Sequence, residues 1–229
     1  MSAAARLVAR EDVGAGLTRI TLDAAPSLRE GYTRPGQVVQ LTAGGETGYF
    51  ALASLVGSDT WELLVRDAGV VARALLTAPL GAELGAELTT LAGFPHTQGE
   101  PGPFTLVAVG SALGAVRGLL LALEAQGRCG EVRLLLGVHD AARVPLVDEL
   151  TRLAAKGTRV TLCLSDAPPT PGAHPAFQQH AGLVQSALAQ ACEATDDPVG
   201  AVFVAGPTEM MNEFKDMGHA RGLVVHANA

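Results

Sequence analysis

The sequence predicts a β + α/β chain, in which a small antiparallel β-barrel is followed by a domain built on a parallel sheet. Two rhythms and one turn predict it. From residue 5 to about residue 91, apolar and polar residues alternate in short runs divided by glycines, as half-buried strands require. From residue 104 onward, continuous apolar runs alternate with stretches of helical spacing, the pattern of strand–helix repeats whose strands lie parallel with helices on both faces. The turn lies in residues 104–120, FTLVAVGSALGAVRGLL, where a buried strand LVAV gives way at Gly110 and Ser111 to leucines spaced as on a helix. Glycine there lets the backbone approach a ligand, Ser111 is expected to cap the helix, and the free N–H groups of the first turn attract an anion.

In the first part the strand runs are LTRITLD, QVVQLTA, YFALAS and WELLVRD. Pro35 and Gly36 mark a turn feeding QVVQL, and Gly44-Gly45-Glu46 reads as a tight hairpin loop. One short helix interrupts the strands, VVARALLTA after Gly69, with Val71, Leu75 and Leu76 on one face. Residues 93–103, GFPHTQGEPGP, break every period and read as a connector. The predicted units are therefore 1–95, a linker at 96–103, and 104–229.

The second part reads as strands LVAV, EVRLLLGV, RVTLCLS and AVFVAG, with helices around LGAVRGLLLALEAQ, PLVDELTRLAAK, AGLVQSALAQAC and PTEMMNEFKDMGHA and a long loop after RVTLCLS. Open parallel sheets hold ligands at the carboxyl ends of their strands. That rule singles out Gly110-Ser111, Gly137-Val138-His139-Asp140 and Gly206-Pro207, all expected along one edge. Met210, Met211, Phe214 and Met217 recur at helical spacing and are expected in the core.

Composition narrows the function classes. The net charge of -7 comes from scattered carboxylates, without a basic stripe, which argues against a nucleic-acid partner. No apolar window is long enough for a membrane span and no signal-peptide pattern opens the chain, so a cytoplasmic protein is expected. Cys129, Cys163 and Cys192 are widely spaced, which excludes a local iron–sulfur or zinc motif and leaves any electron carrier organic. His96, His174, His180, His219 and His226 show no metal-ligand spacing, and no Ser-His-Asp constellation supports hydrolysis.

PGQVVQL, YFALAS, LVAVGSALGAVR, LLLGVHD and VAGPTEMM, in that order, resemble the ferredoxin-NADP reductase family over nearly the whole chain. The resemblance implies a six-stranded antiparallel β-barrel that holds FAD, or FMN, followed by a Rossmann-like parallel-sheet domain that holds NADH or NADPH. It also implies hydride transfer between the two where the domains meet. The family's Arg-x-Tyr-Ser-x-x-Ser/Thr flavin motif falls on Gly48, Tyr49, Phe50, Ala51, Leu52, Ala53 and Ser54, of which only Ser54 matches. Its Gly-x-x-Ser helix start falls on Gly69, Val70, Val71 and Ala72, where backbone donors persist without the hydroxyl, and Arg66 and Arg73 stand near enough to supply charge.

On the nicotinamide side the family's glycine loop falls on residues 109–115, with Gly110 and Ser111 fitting and Val109, Ala112 and Ala115 departing. The Cys-Gly-Pro-x-x-Met motif falls on Ala205, Gly206, Pro207, Thr208, Glu209 and Met210, without its cysteine. Asp166 stands where phosphate-selective members often carry a base, which favours NADH, and His139 stands where the family often has Arg. No catalytic residue is assigned. The implied partners are a nicotinamide dinucleotide and a protein electron acceptor. The accumulated departures keep a second reading open, a non-catalytic descendant acting as a binding or regulatory module.

Overall fold

The computed structural model describes residues 3–89, 92–95, 97–194 and 198–228; His96 lies outside the described residues. The first part contains β1 (Ala3–Asp12), β2 (Leu17–Ala24), α1 (Pro26–Gly31), β3 (Val38–Ala43), β4 (Glu46–Ala51), β5 (Trp61–Arg66), α2 (Val70–Thr77) and β6 (Glu83–Leu88). These six strands form one antiparallel sheet in the order β4-β3-β6-β1-β2-β5. Ile20, Leu22, Leu41, Trp61 and Leu63 pack its interior, with Val71 and Leu75 of α2 against them. Gly44 and Gly45, with φ of +61° and +80°, make the two-residue loop between β3 and β4 that the sequence predicts. The short helix α1 lies outside the elements read from the sequence.

No hydrogen-bonded ladder joins the edge strands β4 and β5 among the described residues. The chain carries the gap itself. YFALAS reads as one strand, but the ladder stops at Ala51. Leu52 N–H then bonds to Gln37 O at 2.8 Å, Ala53 N–H reaches Glu62 O at 2.7 Å, and Glu62 N–H donates to Ser54 Oγ at 3.2 Å. Residues 52–54 thus cross from the β3 side to β5 and turn Leu52 into the core.

The second part contains β7 (Phe104–Val109), α3 (Leu113–Ala125), β8 (Val132–Val138), α4 (Val147–Ala155), β9 (Arg159–Leu164), β10 (Gln178–Ala181), α5 (Val184–Glu193), β11 (Ala201–Ala205), α6 (Thr208–Arg221) and β12 (Val225–Ala227). All six strands are parallel, in the order β10-β9-β8-β7-β11-β12. Alternate residues serve opposite faces: Leu106, Leu134, Leu136 and Leu162 pack toward α3 and α4, while Val107, Leu135, Val202 and Val204 pack toward α5 and α6. Met210, Met211 and Phe214 lie in that second core, as their spacing predicts. The sequence reading left β10 inside a long loop, because QQHA carries no apolar alternation. No described helix is long and apolar enough to cross a membrane.

The two parts meet along α3. A Cβ on Gly118 would stand 2.9 Å from Ser54 O, and one on Gly114 would touch Leu64 and Ala53 at 3.5–3.6 Å, so the helix rides directly on the barrel. Arg117, on the same helix and 4% exposed, bonds at once to both parts. Its guanidinium donates to Ala53 O at 2.8 Å and Glu62 at 2.6 Å in the barrel, and to both oxygens of Glu149 in α4 at 2.7 and 2.8 Å. Burial alone would lower its pKa; the hydrogen bonds and charge of Glu149, then those of Glu62, overcome that and hold it above the ordinary value.

Removing the guanidinium leaves the two half-buried carboxylates of Glu62 and Glu149 with only the longer contacts to Arg19, at 3.5 and 3.9 Å. Arg117→Met is therefore expected to cost about 3 kcal/mol, read as a lowered urea midpoint. A change under about 0.5 kcal/mol, the ordinary range for a surface substitution, would show that the network does not hold the parts together.

Candidate functional site

The strand order of the second sheet reverses between β7 and β11, since the chain runs outward through β8, β9 and β10 before returning to the other side of β7. At such a reversal a crevice opens beyond the carboxyl ends of the strands. β7 ends in a 3₁₀ turn, Gly110–Ala112, that leads into α3. Gly110 has φ of +53°, and a Cβ there would lie 3.2 Å from Arg66 Nη2. Ser111 does not cap the helix: no side-chain cap is present, and Leu113 N–H turns back to Gly110 and Ser111 carbonyls instead.

A cavity of about 480 Å³ opens between the parts, with Tyr49, Phe50 and Ala51 of β4 and Leu64 and Arg66 of β5 on one side. Gly110, Ser111, Ala112, Gly206 and Pro207 face them. A second cavity of about 380 Å³ runs over the strand ends, bordered by Gly137, His139, Ser165, Val184 and Met210. The two share Arg66, Val109, Gly110 and Pro207 as a common wall. Both volumes fall in the range of small-molecule sites. Among the described residues Arg66 has no hydrogen-bond or ion-pair partner, so its charge is free for a ligand at the boundary.

Seven sequence-predicted residues therefore meet at one cleft: Tyr49, Phe50, Ala51, Gly110, Ser111, Gly206 and Pro207. Leu52 is fully buried in the barrel core and Ser54, 2% exposed, braces β5; neither lines the cleft. Gly69 and Val70 are exposed at the start of α2, whereas Val71 and Ala72 are buried in the barrel. Ala205, at 2% exposure, packs into the core beneath the Gly206-Pro207 turn. Arg73 is exposed and paired with Asp67 at 3.3 Å.

Ser165, Arg143 and Gln185 line the second cavity and were not singled out from sequence. The strand-end rule, applied to β9 as it was to β7, β8 and β11, reaches Ser165. At this mouth Ser165 donates to Asp166 at 2.8 Å, and His139 Nδ1 lies 2.8 Å from the other Asp166 oxygen. The Ser165 hydroxyl and then His139 hold the Asp166 carboxyl below its usual range.

No protein-family model matches the chain. It is 28% identical over 214 residues to the ferredoxin–NAD(+) reductase component of the alkene monooxygenase system of Xanthobacter autotrophicus. That match covers 92% of this chain and 63% of that protein, so the chain spans less than two thirds of its relative's length. A cytochrome P450 reductase from Amycolatopsis has a TM-score of 0.80 at 23% identity, over 100% of this chain and 69% of that one. A ferredoxin NADP+ reductase from Neisseria gonorrhoeae, solved with bound FAD and NADP, has a TM-score of 0.76 at 15% identity, over 99% and 98% of the two chains. The chain has the ferredoxin-NADP reductase-like fold.

A flavin implied by the ferredoxin-NADP reductase-like fold meets a divided site. Its flat ring fits: the cleft is open, Phe50 and Ala112 line it without filling it, and the opposing wall is backbone at Gly110 and Gly206. Where the resemblance implies the flavin phosphates, Gly48 has no side chain and the start of α2 offers backbone N–H groups with no side-chain cap.

Beneath the second cavity, Cys163 is 1% exposed and burial pushes its thiol up to about 12. In the folded chain at pH 8, Cys163 is therefore expected to react with iodoacetamide about a thousandfold more slowly than in the urea-unfolded chain, where the thiol has its ordinary value of about 8.5. Equal rates by mass spectrometry of the labelled peptides would show that the floor of this cavity is open to solvent.

Proposed function

We propose that the chain is a flavin-dependent NAD(P)H oxidoreductase, in which a nicotinamide dinucleotide in the second cavity passes a hydride to a flavin in the first. The observation that carries this reading is the common wall. Two ligand-sized cavities adjoin at Arg66, Val109, Gly110 and Pro207, so two ligands seated in them would be in contact. The bound FAD and NADP of the Neisseria relative support the pairing of ligands. The division into a flavin-type unit at 1–95, a linker at 96–103 and a nicotinamide-type unit at 104–229 belongs to the same proposal.

Tyr49, Phe50, Ala51 and Leu64 would border the flavin ring from the barrel, with Gly110, Ser111, Gly206 and Pro207 opposite. Bound there, the flavin supplies the two-electron chemistry, and the protein supplies position and field. Gly110 keeps its backbone close to both ligands. Arg66 offers the cleft a cation that no described carboxylate neutralises, suited to the phosphates of the dinucleotide. The name of the Xanthobacter relative supports onward transfer to a protein acceptor.

The direct test adds FAD to the purified chain and then one equivalent of NADH or NADPH under anaerobic conditions. Bleaching of the flavin band near 450 nm, visible to any spectrophotometer, is the expected result. A flavin that binds but is reduced by neither nucleotide would overturn hydride transfer and leave a binding module. Arg66→Ala is expected to weaken nicotinamide dinucleotide binding about 10- to 100-fold, the worth of one charge-assisted hydrogen bond, in a fluorescence titration. An unchanged affinity would place the phosphates elsewhere.

A further inference from the structure

The cleft treats the two ends of a flavin unequally. Its ring end is enclosed by β4 on one side and by two strand-end turns on the other. Toward Gly48, where the family resemblance implies the flavin phosphates, three features limit the side chains on offer to a phosphate. First, Gly48 has no side chain, and a Cβ added there would meet Phe50 Cε2 at 3.0 Å and Val71 Cβ at 3.1 Å, so apolar groups fill the space an arginine stem would take. Second, the first turn of α2 lies against this point with Val71 5% and Ala72 4% exposed, their side chains spent on the barrel core; only Val70 projects outward. Third, of the two arginines of this stretch only Arg66 lines the cleft, and it does so at the strand-end turn. Arg73 pairs with Asp67, and Arg66 lies at the Gly110 turn on the boundary with the second cavity.

A missing charge-assisted contact to phosphate lowers affinity roughly 10- to 100-fold, and the ring contacts lose nothing by its absence. Resting on the flavin reading of the cleft, we infer that flavin is a diffusible substrate of this chain, recognised by its tricyclic ring and not retained through its phosphates. Riboflavin, FMN and FAD then enter with affinities within about tenfold of one another. In a turnover, one hydride leaves the ring carbon of the dihydronicotinamide and forms a bond to a flavin ring nitrogen, and one proton from water adds to a second ring nitrogen. The products are the oxidised nicotinamide dinucleotide and a dihydroflavin, which leaves the cleft carrying the two electrons to whatever accepts them in solution.

The test uses the full chain. After desalting, the protein is expected to be colourless, and fluorescence titrations with riboflavin, FMN and FAD are expected to give dissociation constants within about tenfold of each other. FAD that survives desalting, or binds about a hundredfold or more tightly than riboflavin, overturns this inference and leaves the flavin reading standing. Failure of all three to bind overturns both. A Gly48→Arg chain that also carries Val71→Ala, making room for the stem, is expected to bind FMN and FAD at least about tenfold more tightly relative to riboflavin, with riboflavin binding itself reporting that the fold is intact. A variant that binds riboflavin and still shows no preference for the phosphorylated flavins would overturn the role given to position 48.

Discussion

The geometry of the cleft depends on how α3 sits on the barrel, and Arg117 governs that seating. A guanidinium this deeply buried costs several kcal/mol unless its donors are met, and here the acceptors come from both halves of the chain: Ala53 O and Glu62 from the barrel, Glu149 from α4. Separating the parts would take Ala53 O and Glu62 away from the guanidinium and leave it with Glu149 alone. Gly114, about one turn before Arg117, and Gly118, the next residue, remove the side chains that would hold the helix away. The same helix begins at the Gly110 turn, so fixing α3 fixes the distance between that turn and β4, which is the width of the cleft.

A second consequence follows from what the cleft walls lack. Charged groups at the mouth of the second cavity pair with one another: Arg143 with Asp140 and Asp166 with His139. Arg66 stands apart, at the boundary of the two cavities. An apolar slot for a ring, adjoining an open cation, suits two ligands that meet ring to ring while one of them carries phosphate. On the proposed reading the chain's own residues place and shield the two ligands.

Much of this was legible in the residues. The strand-end glycines Gly110 and Gly206 follow from continuous apolar runs that stop at a turn, and both line the cleft. Tyr49, Phe50 and Ala51 were reached through family resemblance, and they too line it. The same resemblance carried Leu52 and Ser54 along as part of one strand. Their true orientation depends on where the ladder breaks, and that break is set by hydrogen bonds to Gln37 and Glu62, distant in the chain. Ser111 looks like a cap because serine before a leucine-rich helix is a good local signal, yet the 3₁₀ turn satisfies the Leu113 N–H first.

The strands β2 to β5, the strand–helix repeats from β7 to α6 apart from β10, the hairpin at Gly44-Gly45, the core stripe of α6 and the edge that carries Gly110 and Gly206 are local matters, written in periodicity and in backbone freedom at glycine. They needed no coordinates. Arg117 as the tie between the parts, Arg66 as the free cation and the common wall of two cavities are set by residues far apart in sequence. Only tertiary structure decides them, because whether a charged side chain is paired or free depends on which distant acceptors the fold brings within reach.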